Sequence, residues 1–125
     1  MKSWLLLFAI GFACLGSECV VLSGKASWYG GRFHGKKTAS GEIFDKHSFT
    51  AASNIHRIGS YLLVRDLKSG KEIIVRVNDR GPFKRGRVID LSHGAAKELG
   101  ILSRGVAAVE VLPLECLIAQ SEDLD

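Results

Sequence analysis

Residues 72–91 (Glu-Ile-Ile-Val-Arg-Val-Asn-Asp-Arg-Gly-Pro-Phe-Lys-Arg-Gly-Arg-Val-Ile-Asp-Leu) constrain the fold more than any other stretch of the chain. Ile73, Val75 and Val77 alternate with polar positions, so their β-branched side chains mark one face of a strand. Period two carries Asp79 onto that same apolar face. Gly81 and Pro82 then break the strand, because Pro82 has no amide hydrogen for a ladder and biases Gly81 toward extended or turn geometry. Asp79 is therefore expected at the end of a core strand, beside a rigid loop and the cations Arg80, Lys84, Arg85 and Arg87. A half-buried carboxyl among cations is the usual setting of a tuned acid. The competing reading is that Asp79 only hydrogen-bonds the turn, as Asp often does before Gly-Pro.

A chain of 125 residues is one domain with one modest core. Met1-Lys2 gives a positive end, Trp4 to Phe12 is apolar, and small residues follow at Gly11, Ala13, Gly16 and Ser17, the layout of a secretory signal peptide. The run is too short to span a bilayer comfortably. This reading assigns 1–16 to a signal peptide, 17–23 to a linker, 24–114 to a barrel domain and 115–125 to an acidic tail. Phe12-Ala13-Cys14 is a poor version of a bacterial lipoprotein box. Cys19 and Cys116 lie just outside the two ends of the patterned region, and an exported chain meets an oxidising compartment, which makes them a disulfide candidate. Two unpaired thiols, or a lipidated Cys19, are the alternatives.

The formal net charge of +4 conceals an asymmetry: residues 20–114 hold 16 Lys and Arg against 8 Asp and Glu, whereas the tail carries only acids. A basic body favours anionic partners, and export favours a cell wall or membrane surface over nucleic acid. Few exposed aromatics are expected for base stacking, which also argues against nucleic acid. Solubility alone is the other explanation of the charge.

Ser23–Tyr29 reads as a first strand, with Ala26 and Trp28 on one face and Ser27 and Tyr29 on the other. Arg32–Glu42 is a loop rich in glycine, hydroxyls and charge, and loops of that length tend to bind. Phe49–Ala52 is a short strand, and Tyr61–Leu67 and Glu72–Val77 form a hairpin about Lys68-Ser69-Gly70-Lys71. Val88–Leu91 leads to Ser92, a good N-cap, and to a helix over His93–Leu99 stopped by Gly100. The last strand runs from Val106 to Leu114. Five or six short strands and one short helix predict a mainly β fold, a small closed barrel.

Gly24-Lys25-Ala26-Ser27-Trp28-Tyr29-Gly30, Phe33-His34-Gly35, Thr38-Ala39-Ser40-Gly41-Glu42, Thr50-Ala51-Ala52, Val75 to Phe83, Ile89-Asp90-Leu91-Ser92 and Leu99-Gly100 together resemble the rare lipoprotein A family, in unbroken order over residues 24 to about 112. The resemblance implies a six-stranded double-psi β-barrel with one or two short helices. It also implies an exported lytic transglycosylase that cleaves peptidoglycan glycan strands and leaves anhydro-muramic ends. In that chemistry a carboxylic acid protonates the glycosidic oxygen, and the sugar's own C6 hydroxyl closes onto the anomeric carbon. By resemblance Asp79 is the acid/base and Glu42 its partner, and two carboxylates in one cleft would raise each other's proton affinity. Substrate contacts fall on Tyr29, Phe33, His34, Thr38 and Ser40 in the first half, and on Ser53, His56, Asn78, Arg80 and Asp90 in the second. No cofactor is implied, and neither the histidines nor the cysteines form a metal ligand set.

One position departs from the family. Where it places a functional histidine after Thr50-Ala51-Ala52, this chain has Ser53, which cannot carry a proton charge near neutral pH. His56 is either a compensating imidazole or an exposed local rewrite. Asp79 and Glu42 favour the enzyme, whereas Ser53 favours a non-catalytic peptidoglycan-binding or division-site module that keeps the groove. The expected partners are glycan strands and cell-division proteins. The expected place is the periplasm or outer membrane, with membrane contact only through a lipid anchor.

Overall fold

The computed structural model describes residues 19–118. The signal peptide and most of the acidic tail expected from the sequence lie outside that range. Six strands, β1 (Leu22–Tyr29), β2 (Thr50–Ala52), β3 (Tyr61–Asp66), β4 (Glu72–Asp79), β5 (Arg87–Ser92) and β6 (Ala107–Pro113), close into a barrel in the order β1-β5-β2-β4-β3-β6. The pairs β1/β5 and β2/β4 are parallel and the rest antiparallel. Parallel neighbours cannot be joined by hairpins, so the connections cross the barrel ends instead. The predicted strands fall within a residue or two of the observed ones, and β3 and β4 form the expected hairpin with Gly70 at positive φ.

Inside the barrel Ala26, Ala51, Leu62, Val64, Val75, Val77, Ile89, Leu91, Val109 and Val111 are almost wholly shielded from solvent. The helix α1 (His93–Leu99) packs on this core through Ala95, Ala96 and Leu99. Ser92 caps it, accepting from the Ala95 amide at 3.2 Å while its own hydroxyl donates to Ser48 O. Gly100 ends it in the left-handed region, its amide bonded to the carbonyls of Ala96 and Lys97. Cys19 and Cys116 are joined by a disulfide, with Cα atoms 5.4 Å apart and Cys116 buried.

Two contacts anchor the parts of the barrel that carry the loops. The Gly94 amide donates to Lys46 O at 2.7 Å, and a Cβ on Gly94 would lie 2.5 Å from His47 O and 2.8 Å from its carbonyl carbon. Both neighbours are backbone, so Gly94→Ala must push the 46–48 segment off the helix. Such overpacking costs about 1–3 kcal/mol, and the better helix propensity of Ala returns about 1 kcal/mol. The net loss of roughly 0–2 kcal/mol lowers Tm by up to about 15 °C, read by calorimetry; a Tm above the parent's would refute the close approach.

Asp66 is the other. Its side chain is 1% exposed and pairs with Arg104 at 2.5 Å, while accepting from the Ser69 hydroxyl at 2.7 Å and from the amides of Lys68 and Ser69. Burial alone would raise its pKa, but Arg104, Ser69 and the Lys68 amide outweigh it and hold the carboxyl down to about 2. The unfolded chain titrates this group near 4, so the native state is stabilised above that pH and loses the contribution as pH falls from about 4 through about 2. The depression corresponds to about 2 kcal/mol. Asp66→Asn should therefore flatten the acid limb of a urea-stability profile between pH 4 and 2; a limb as steep as the parent's would assign the acid loss to other carboxylates.

Candidate active site

The catalytic aspartate inferred from the sequence does not lie where strand alternation put it. Across the parallel pair β2/β4, Ala51 faces Val77 but Ala52 faces Asp79, so Asn78 is an extra residue, a β-bulge. The bulge re-phases the strand: Val77 points into the core, and Asp79 joins Ala52 on the face turned away from the barrel interior. Asp79 is half-buried there, with Oδ1 accepting from the amides of Ala39 at 3.0 Å and Arg80 at 2.9 Å. The Arg80 guanidinium turns instead to the carbonyls of Ser53 (2.8 Å) and His56 (2.6 Å), and among the described residues no ion pair includes Asp79. Arg80 thus clamps the 53–56 turn.

The loop before β2 is held against that face by its own polar groups. Thr38 Oγ1 and Ser40 Oγ lie 2.8 Å apart, Thr38 Oγ1 donates to Glu42 O, and the Ser40 amide donates to Asn78 O. The Thr38 hydroxyl is consumed in closing the turn, and Ser40 also accepts from the Glu42 amide. Glu42 Oε1 accepts from Asn78 Nδ2 at 2.7 Å, and Oε2 pairs with Arg76 at 3.0 Å. Arg76 and then Asn78 lower the Glu42 pKa, despite a small opposing burial effect. The sequence led us to expect two carboxylates raising each other's proton affinity; Glu42 is instead held ionised by a guanidinium the sequence reading had left unassigned. Arg76 occupies an outward position of the alternating run, and that placement was the signal available. His34 braces the same loop, its Nδ1 accepting from the Lys46 amide at 3.2 Å.

Ser53 is fully buried, and its Oγ accepts from the amides of Ile55 (3.3 Å) and His56 (3.1 Å). A hydroxyl has two acceptor sites and one proton, so with both acceptor sites occupied the O–H donates to His56 Nδ1, 3.0 Å away. The His56 proton then sits on Nε2, and burial lowers the ring's pKa, favouring neutral imidazole. Of the two alternatives for His56, the structure brings it to Ser53. Asn54, unassigned in the sequence, clamps the next loop by donating to Pro82 O and accepting from the Gly81 amide at 2.9 Å. Gly81, at φ 138°, closes over the site: a Cβ there would lie 3.7 Å from that of Ala52 and 3.9 Å from Asp90 Oδ2. Beside it Phe83 is 86% exposed, a ring free to stack on a ligand and likewise not singled out from the sequence.

Asp90 and Tyr29 complete the face. Asp90 pairs in register with Ser27 of β1 and Ala52 of β2, and Ser27 Oγ donates to Asp90 Oδ1. The Tyr29 ring stacks on Phe44 at 4.8 Å and meets the edge of Phe33 at 5.7 Å. Its hydroxyl is buried without a protein partner. Burial first, then the charges of Asp79 and Asp90, push its pKa far up, so it remains a neutral donor. Among the residues expected at the site, Tyr29, Glu42, Ser53, Asn78, Asp79 and Asp90 converge, with Phe33 and His56 at the edge.

Six strands with two parallel pairs and crossing connections define a double-psi β-barrel protein. Streptomyces papain inhibitor shares this architecture with TM-score 0.61 and 26% identity, covering 74% of this chain and 93% of its own. An expansin of Clavibacter michiganensis, solved with cellohexaose, aligns with TM-score 0.58 and 18% identity, covering 75% of this chain and 50% of its own. The chain belongs to the lytic transglycolase family, whose pattern matches residues 21–111. It is 54% identical over 89 residues to the endolytic peptidoglycan transglycosylase RlpA of Neisseria meningitidis, covering 71% of this chain and 37% of the relative. A probable enzyme of the same name from Aquifex aeolicus is 50% identical over 95 residues, covering 76% and 42% respectively. The chain thus spans well under half the length of these curated relatives.

Proposed function

We propose that this domain is a peptidoglycan lytic transglycosylase that cuts glycan strands between muramic acid and glucosamine and leaves anhydro-muramic ends. The observation that carries the reading is the bulge at Asn78, which turns Asp79 out of the core to a half-buried position held by the 38–42 loop. A proton donor at an open face fits a chain-like substrate that must lie across the barrel. Asp79 supplies the proton to the glycosidic oxygen, Glu42 with Arg76 holds the loop that borders the cleft, and Phe83 offers a stacking surface to sugar rings. Family membership and the relatives' names support the same chemistry.

Export to the periplasm or outer membrane fits the apolar N-terminal run and the Cys19–Cys116 disulfide, because that bond persists in an oxidising compartment. Division-site proteins and a lipid anchor belong to the same proposal. Digestion of peptide-free glycan strands, with mass detection of anhydro-muramic ends, tests the activity. Strands that are bound but never cut would support the binding module that Ser53 suggests.

A further inference from the structure

We propose that the hollow between α1 and the segment leading into β2 is a second binding site, separate from the catalytic face, and that its ligand is a sugar bearing an anionic group. The inference goes beyond the transglycosylase reading and does not depend on turnover.

The hollow has a volume of about 580 Å³, in the range of small-molecule sites. Backbone fixes its walls. The Gly94 amide donates to Lys46 O at 2.7 Å, and no Cβ fits between Gly94 and the His47 carbonyl, so the two sides are locked together at their base. His47 and Phe49 line one side. His93 and Lys97, four residues apart and therefore on one face of α1, line the other together with Glu98. The His93 ring is braced by Trp28, which meets it edge-on at 5.4 Å. Lys71, from the β3–β4 turn, is the third contributor, with Nζ 3.6 Å from where a Cβ on Gly100 would lie.

The side chains in this hollow suit one chemistry. Lys71 and Lys97 are exposed, and among the described residues neither enters an ion pair, although Glu98 follows Lys97 directly. Two ammonium groups against one carboxylate leave the hollow positive before either imidazole is counted. An ammonium only donates, so carboxylate or phosphate oxygens are its best partners. Phe49 is 43% exposed in the same hollow and presents the kind of apolar ring face on which a sugar ring packs. Glu98 accepts from hydroxyls. Free phosphate would use the lysines and leave the ring idle, and a neutral sugar would do the reverse; an acidic sugar uses both. Complementing the end of α1 would explain two nearby cations, but not the exposed ring facing the same space.

The hollow is apart from the catalytic residues. Phe49 stands three residues before Ala52, the partner of Asp79, which puts it about 10 Å away along β2. Lys71 precedes β4 at the end opposite Asp79.

The test is a ¹H–¹⁵N titration of the whole chain with N-acetylmuramic acid, which carries a carboxylate, with N-acetylglucosamine, the same ring without it, and with inorganic phosphate. N-acetylmuramic acid should move the amides of Phe49, Lys71 and Lys97 saturably. N-acetylglucosamine should bind about tenfold more weakly or worse, the worth of one charge-assisted hydrogen bond. Lys71→Gln and Lys97→Gln should each weaken the acid by a similar factor, and Phe49→Leu by about fivefold. Lys25→Gln, on β1 and outside the hollow, should leave it unchanged. Equal affinity for the neutral sugar overturns the role of the cations, and equal affinity for phosphate overturns the role of the ring. Shifts confined to Ala39, Asp79 and Arg80, or no saturable shift, overturn the site. An equal loss in Lys25→Gln would show attraction to the basic body alone and overturn it as well. None of these readouts uses turnover, so a parent that releases no anhydro-muramic ends would sink the transglycosylase reading and leave this one standing.

Discussion

Asp79→Asn should abolish the release of anhydro-muramic ends while the folded domain and its affinity for glycan strands survive. The asparagine oxygen can still accept from the amides of Ala39 and Arg80, the two bonds that hold the native side chain, so the cleft keeps its shape. What is lost is the titrating proton, and a positioned proton-transfer group contributes roughly 10²–10⁴-fold. Because the effect is confined to the chemical step, kcat should fall with pelleting on peptidoglycan and Tm nearly unchanged. Glu42→Gln provides the contrast. It removes the ion pair to Arg76, a half-exposed pair worth no more than about 1 kcal/mol, and loosens the loop rather than the chemistry. A parent enzyme whose Asp79→Asn variant releases product at the parent's rate would mean that the acid lies elsewhere.

Reduction of the Cys19–Cys116 disulfide is expected to have the largest effect on stability. The two residues are 97 positions apart, so the bond closes nearly the whole described chain. A loop of that length is worth about 4–5 kcal/mol through the entropy it removes from the unfolded state, a third or more of what a domain of this size usually has. Urea unfolding of the oxidised protein, beside the Cys19→Ser/Cys116→Ser variant, should show a midpoint lower in the variant. Equal midpoints would show that the barrel closes on itself without the bond. Two alkylatable thiols in the protein handled without reductant would show that the bond does not form.

Much of the barrel was legible because its signals are local. Val75 and Val77 announce a core strand by alternation, Ser92 and Gly100 bracket α1 by cap chemistry, and Gly70 closes the β3–β4 turn. The resemblance extended this to the double-psi topology, which alternation alone does not specify. Several of the residues expected at the site make contacts that the chain alone does not announce. Thr38 and Arg80, assigned to sugar, are engaged with the protein's own backbone, and Arg76 and Asn54, passed over, hold Glu42 and the Gly81-Pro82 loop.

Asp79 shows where the boundary lies. Alternation predicts a side chain's face only while the strand is unbroken, and whether Asn78 bulges is set by β2, which is separated from it by a hairpin. The same holds for Ser53: its sequence position reads as a missing imidazole, yet only the fold of the 53–56 turn brings His56 back to its hydroxyl. The sequence alone determined which segments are strands and where the helix begins and ends. Tertiary structure decided which way Asp79 points, that Arg76 and Asn78 hold Glu42 ionised, and that Asp90 and the unpartnered Tyr29 hydroxyl share its face. Propensity and capping act between neighbours in the chain, whereas register and hydrogen-bond partnership exist only between segments that folding has brought together.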